Sequence, residues 1–578
     1  MAKRWWRSLG LALSAIALGL AIAGCGATTS LTAETSQVAQ GVLGDLKTFN
    51  SALSTESPNI SGLTTEGLVR KNPFTDATEP ALAESWEVSE GGLRIVFTLR
   101  EGLRWSDGAP LTTDDVDFTF NEIYLNDAIP TSARDILRIG QSRSLPQVRA
   151  LDARRVEFRL PEPFAPFFTS AGLEILPAHI LRDSVRTLDS SGQPMFLNMW
   201  NTGTPPEAII GSGRYKLESY ATSQRIVFRR NPYYWQNPKP YIERIIWEIV
   251  ENQDAQLVRF RSKDLDSLGV SPEYFSLLKR EEARSDFTIY NGGPAYGTTF
   301  INFNLNKGRR NGQALVDPVR SRWFNALEFR QAIAYAIDRN KMIDNVFRGL
   351  GEPQNSHISV QSPFYDPTVK SYDHDPDLAR ELLRSAGFNY DDDGRLIDSE
   401  GNRVRFTLLT NAGNKIREAI GAQIKQDLDT IGIQVDFNPV AFSVLVDKLS
   451  NTLEWECILI GFTGGNEPNS GANLWNPDGN LHMFNQKPRT DPPVVGREVY
   501  DWEERIGQLY IQAASELELE QRKALYAETQ ELSQEYLPMI NLVNPLSLTA
   551  VRDRFEGIRY SPLGGAFWNV EEIQIAAD

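Results

Sequence analysis

The chain of 578 residues carries 75 acidic against 59 basic side chains, a formal net charge of -16, and only two cysteines. A polyanion is held chiefly by Lys and Arg at its phosphates, so an acidic chain with no basic stripe excludes nucleic acid as a partner. The length corresponds to three or four domain-sized units, each large enough to stand on its core without disulfide staples.

At the N-terminus Lys3, Arg4 and Arg7 precede an apolar run from Leu9 to Ala23, the layout of a secretory signal. About 15 residues rise roughly 22 Å as a helix, short of the ~30 Å hydrocarbon core, so the run is expected to target the chain and not to span a membrane. Ile22-Ala23-Gly24 then places small residues directly before Cys25, which resembles the lipobox of bacterial lipoproteins. That resemblance implies cleavage before Cys25 and lipid attachment at it, with residues 1–24 as the lipoprotein signal peptide. The small and polar residues 25–35 read as a flexible tether. Cys457, in the apolar stretch 457–460, reads as a small core residue.

Leu93, Ile95, Phe97 and Leu99 alternate with Arg94, Thr98 and Arg100, which predicts a half-buried strand, and Asp107-Gly108 supplies a turn. Thr112 with Asp115 can cap a helix whose apolar stripe is Val116, Phe120 and Ile123. Val156, Phe158 and Leu160 write a second strand. Farther on, Asn325 with Glu328 is expected to cap a helix that buries Phe329, Ile333 and Ala336 or Ile337. Asp338 caps the next, which carries Ile343, Val346 and Phe347 to a stop at Gly349. Asp375-Pro376 and Gly387 bracket a further helix around Ala379, Leu382, Leu383 and Ala386.

Little in the chain points to chemistry. Asn389, Asp391, Asp393, Gly394 and Glu400 have calcium-loop spacing, but no second helix follows, and the same residues make a polar hairpin turn before a strand at 404–408. His179, His357, His374 and His482 lie far apart, so no preformed metal site is expected. Ser276 and Lys279 form a lone Ser-x-x-Lys without its Lys-Thr-Gly partner, and no nucleophile elbow or phosphate-cradling loop occurs. No enzyme activity and no cofactor are expected.

Five segments occur in a telling order: Glu79-Pro80-Ala81-Leu82-Ala83-Glu84-Ser85-Trp86; residues 97–108 running into 114–120; Gly211-Ser212-Gly213-Arg214-Tyr215 with residues 230–235; residues 329–339; and residues 375–388. Together they resemble the bacterial extracellular solute-binding proteins of the dipeptide, oligopeptide and nickel class. The resemblance implies an α/β, two-lobe periplasmic binding protein fold with an extra subdomain in the large lobe and a two-strand hinge. With crossings near 289 and 500, the large lobe spans 36–288 plus 500–578, the extra subdomain 75–205, and the small lobe 289–499.

The same resemblance implies a monomeric, lipid-anchored receptor at the periplasmic or outer face of a membrane. It would capture a peptide between its lobes and deliver it to the permease and ATPase subunits of an ABC importer. A non-peptide solute such as a metal chelate or opine-like compound, a ligand-reporting subunit of a sensor, and a cell-envelope hydrolase are the alternatives. Residues 461–468 resemble the family's ligand loop, so Gly461, Phe462, Thr463, Gly465, Asn466 and Glu467 are candidate contacts. The family's aspartate, which holds a peptide's amino terminus, falls on Gly465, and Glu467 either substitutes for it or faces solvent. Asp45 and Leu46 fall where the family supplies another backbone contact. Trp475, Trp455, Tyr296 and Asn304 are added as aromatics and amides near the loop or hinge, while His482, a lone histidine after the loop, reads as a solvent-exposed or packed residue rather than a ligand.

Overall fold

Alternation along Arg94–Leu99 buries Ile95, Phe97 and Leu99, and Val96 on the other face is buried as well. In the computed structural model, which describes residues 36–54, 58–140, 142–479, 481–487 and 492–576, this strand lies inside a four-stranded sheet. Its order is Ala83–Ser89, Arg94–Leu99, Arg155–Arg159, Gln147–Ala150, all antiparallel. Thr112 and Asp115 form a reciprocal capping box over the helix Thr113–Asp117 that packs on it. The signal peptide, the tether and Cys25 lie outside the described residues.

Two larger sheets make the two lobes. The first runs Phe287–Pro294, Val543–Arg552, Ser267–Gly269, Gln37–Val42, Arg244–Ile249, Arg225–Arg230, Tyr215–Ala221. Its apolar face and the four-stranded sheet share one continuous core, from Val38 and Phe49 to Phe97, Phe158 and Phe228, so the extra subdomain belongs to the large lobe. The second sheet runs Gln434–Val440, Arg405–Asn411, Cys457–Phe462, Thr298–Phe303, Ile540–Asn541 and builds a separate core around Phe303, Ile333, Phe406 and Leu459. Cys457 is fully buried there.

The chain passes between the sheets at residues 295–297 and returns at Leu542. The two crossings lie side by side, with Ala295 N donating to Pro545 O at 2.8 Å and Leu542 N to Thr299 O at 2.9 Å. This is the two-strand hinge. The return near 500 read from the sequence is corrected: the helices Asp501–Ser515 and Leu519–Tyr536 bury Trp502, Ile506, Tyr510 and Tyr526 in the small-lobe core. The expected cap at Asn325 also differs. Asn325 ends the preceding helix Pro318–Asn325, and its Nδ2 donates to Ser321 O while Tyr500 Oη donates to its Oδ1. Asp338 and Asp375 do cap, accepting from Lys341 N and Leu378 N.

Residues 389–397 form a short hairpin, with Asp391 Oδ1 accepting from the amides of Asp393 and Arg395. Glu400 is turned away to Arg322. Among the described residues no group of His, Cys, Asp and Glu is arranged to hold a metal ion, and no helix is long and apolar enough to cross a membrane.

Candidate functional site: the interlobe cleft

Between the lobes lies a cavity of about 830 Å³, walled on one side by residues of the large lobe, among them Arg70, Asn72, Arg214 and Trp568, and on the other by the loop 463–467 of the small lobe. The strand Cys457–Phe462 delivers that loop. Thr463 and Gly464 are exposed at the cavity, Gly465 is half-buried, and among the described residues nothing is hydrogen-bonded to their backbone N–H groups. Unpaired main-chain groups at the end of a strand offer an extended ligand backbone its partners.

The large-lobe wall is a neutralised charge network. Glu571 is buried and accepts from Arg70 Nη1 and Arg214 Nη1, both at 2.7 Å, while Arg70 Nε also donates to Glu79. Burial alone would raise the Glu571 pKa, but the two guanidinium groups outweigh it and hold the carboxyl below its usual range. Nearby, Glu66 accepts from Tyr234 Oη at 2.9 Å and Trp235 Nε1 at 2.7 Å, and there burial wins, raising its pKa against the pull of Arg214. Such a wall is hydrogen-bonded throughout and close to electrically balanced.

The lobes also touch directly. Asn466 Nδ2 donates to Asp76 Oδ1 at 3.2 Å across the cleft, and Ala165 N of the extra subdomain donates to Ala514 O at 2.8 Å. Asp76 reaches over from a turn in which its own φ is +56°, a conformation Asp tolerates better than most residues.

The candidates from the sequence divide sharply. Thr463, Gly465, Asn466 and Glu467 line the cavity. Phe462 lines a smaller pocket on the far side of the same loop and packs on Phe300, with ring centroids 5.4 Å apart. Gly461 is a strand residue paired with Thr299, packed so closely that a Cβ would lie 2.4 Å from Thr298 O. Trp475 is buried, stacks on Tyr510 and floors that smaller pocket. Tyr296 lines it as well.

Asp45, Leu46 and Asn304 are not brought to the cleft. Asp45 accepts from Tyr220 Oη at 2.9 Å and Ser223 N at 2.7 Å, and Leu46 is in the large-lobe core. Asn304 is buried with its Nδ2 on the carbonyls of Leu453 and Trp455, and Trp455 itself is core. His482 is fully buried between Leu474 O and the Glu503 carboxylate.

Glu467 is the main correction. Neither expected role holds, because its two oxygens accept from Arg522 Nη2 at 2.8 and 2.9 Å and one also accepts from Asn469 N. The side chains are only 15% and 8% exposed, so the carboxylate is already paired and not offered to an ammonium. Asp76, Trp568 and, in the aromatic floor beyond the loop, His357 and Tyr510 were not read from the sequence as site residues. Asp76 had a weak signal in the turn-forming Asn72-Pro73 that precedes it, and the others had none.

The profile of bacterial extracellular solute-binding proteins, family 5 Middle, matches residues 77–483. A "Probable ABC transporter-binding protein" of Deinococcus radiodurans is 29% identical over 545 residues, covering 89% of this chain and 88% of the relative. The oligopeptide-binding protein AppA of Bacillus subtilis, solved in complex with a nonapeptide, superposes with a TM-score of 0.72 at 22% identity, over 94% of this chain and 99% of the other. NikA of Brucella suis, solved with Fe(III)-EDTA, gives a TM-score of 0.75 at 19% identity, over 93% and 100%.

Proposed function

Because the chain belongs to the bacterial extracellular solute-binding proteins of family 5, and is thus the substrate-binding protein of an ABC importer, we propose that it is a lipoprotein that captures peptides in the interlobe cleft. It would deliver them to the importer's permease, anchored through lipid on Cys25. The cleft carries this reading. A volume of about 830 Å³ lies within the ~300–1,000 Å³ of clefts that bury most of a drug-sized ligand, and among the described residues nothing pairs with the N–H groups of Thr463, Gly464 and Gly465 that line it. Main-chain pairing makes affinity largely independent of peptide sequence, and the fold-mate AppA holds a nonapeptide.

Ligand shifts the balance of open and closed lobes only by its differential affinity for the closed form. Contacts made by both walls at once, as around residues 463–467 and Asn72, are the ones that supply such a difference.

The loop itself offers no free carboxylate to an amino terminus, since residue 465 is glycine and Glu467 is paired to Arg522, and Asp76 on the facing wall already accepts from Asn466. Amino-acetylated peptides are therefore expected to bind within about tenfold of the free ones. A thermal-shift screen of the purified chain with free peptides, acetylated peptides and metal chelates tests this. A ligand at 100 times its Kd adds about 2.7 kcal/mol, which the screen detects easily. Stabilisation by chelates alone, with no response to any peptide, would replace peptide by another solute.

A further inference from the structure

The glycine loop has a second cavity behind it. On the side away from the large lobe lies a pocket of about 260 Å³, which shares Thr463, Gly464, Gly465, Glu467 and Ser470 with the main cleft as a common wall. Its remaining surface belongs to the small lobe and, through Tyr296, to the hinge crossing, and is mostly aromatic and apolar. Trp475 and Tyr510 stack with centroids 6.3 Å apart and planes 16° apart, His357 lies 4.3 Å from Trp475, and Tyr296 and Met539 close the sides.

Nothing in this pocket would balance a charge brought in by a ligand. The single ionisable carboxylate on its wall is Glu467, and both its oxygens are on Arg522. His357 hydrogen-bonds through Nε2 to Tyr510 Oη at 3.1 Å, and its buried Nδ1 has no partner. Burial drives the His357 pKa down to about 3, so the ring is neutral at physiological pH. The volume also suits a ring, since an apolar cavity of about 150 Å³ already accepts benzene.

Gly465 lines both spaces. A Cβ built there meets no atom within 4 Å beyond its chain neighbours, so at that point the wall between cleft and pocket carries no side chain of its own. We infer that the pocket is a specificity subsite that admits an uncharged aromatic group of the ligand past Gly465 and excludes charged ones. The inference rests on the cleft being the ligand site. It adds that this receptor ranks ligands by one side group while the loop backbone holds the rest.

The test measures affinities of the purified protein, by calorimetry, for p-cresol, indole and a set of tripeptides with alanine at both ends and Ala, Phe, Trp, Lys or Glu in the middle. The Phe and Trp peptides are expected to bind roughly ten- to a hundred-fold tighter than trialanine, from the burial of one aromatic side chain, with the Lys and Glu peptides no tighter than trialanine. Asn473→Phe, which fills the pocket from a half-exposed wall position, is expected to abolish the aromatic advantage and p-cresol binding alike. Binding of p-cresol and indole without any tripeptide would keep the subsite and remove the peptide reading. Tripeptide binding with no aromatic preference, a preference for Lys or Glu, or an advantage that survives Asn473→Phe would overturn the subsite and keep peptide capture. Silence of every probe overturns both. Should Asn473→Phe fail to fold, the ranking on the unaltered protein decides, together with whether p-cresol competes with the Phe peptide.

Discussion

Gly464 and Gly465 are chain neighbours with opposite constraints. A Cβ on Gly464 would lie 1.7 Å from the carbonyl oxygen of Tyr296, because the loop rests on the hinge crossing, whereas a Cβ on Gly465 faces open space. Gly464→Ala is therefore expected to lower stability by about 1–3 kcal/mol through forced backbone displacement, and Gly465→Ala to stay within about 0.5 kcal/mol. Urea unfolding of the two variants checks this, and equal midpoints would show that the loop does not rest on Tyr296 as described. The resemblance of residues 461–468 to a ligand loop was legible in the sequence, but which glycine is required was not. That depends on a carbonyl more than 160 positions earlier in the chain. The fate of Glu467 was hidden for the same reason, since its partner is separated from it by 55 positions.

The helix Leu519–Tyr536 owes its seat partly to that ion pair. Arg522 donates through Nη2 to Glu467 and through Nε to Ala513 O, and its guanidinium lies 4.9 Å from the ring centre of Phe364. Removing the carboxylate strands a buried cation, so Glu467→Ala is expected to cost about 3–5 kcal/mol, while replacing both partners by apolar residues costs less than either single change. A double-mutant cycle in chemical denaturation measures it, and a coupling near zero would mean that water reaches Arg522. Helices of this kind were legible as helices: Asp338 and Asp375 cap where the sequence placed them, and Phe329 and Ile333 are buried. For Asp501–Ser515 and Leu519–Tyr536 the lobe was not legible, because a 3.6-residue periodicity says that a face is buried and not which core buries it. The same gap put the return crossing at 500 instead of 542.

On the scale of the whole molecule, contacts between the lobes outside the hinge include single hydrogen bonds at the cleft rim. The Asn466–Asp76 bond is one such rim contact. A hydrogen bond worth about 1 kcal/mol changes a two-state ratio about fivefold, so Asn466→Ala is expected to shift the ligand-free protein toward the open form. Small-angle scattering would register this as a larger radius of gyration that ligand reverses. An unchanged radius, together with unchanged affinity, would show that the bond does not bias closure. The two-lobe architecture itself was legible through five ordered motifs, since these carry the turns and strand ends of the fold, whereas contacts across the rim join loops that no local pattern connects.

The position of Val543–Arg552 also dictates an order of assembly. This strand does not border the large sheet but lies inside it, between Phe287–Pro294 and Ser267–Gly269. A chain emerging from the export machinery N-terminus first therefore presents most of a large lobe with a gap in its sheet. The entire small lobe follows as one uninterrupted stretch, with its core residues drawn from 300 to 543. The small lobe can close on itself while the first lobe waits for its last structural strand. Until that strand arrives, the unpaired edges at 267–269 and 287–294 are the part of the newly exported protein most exposed to wrong pairing, and loss of the C-terminal tail should harm the lobe that was made first.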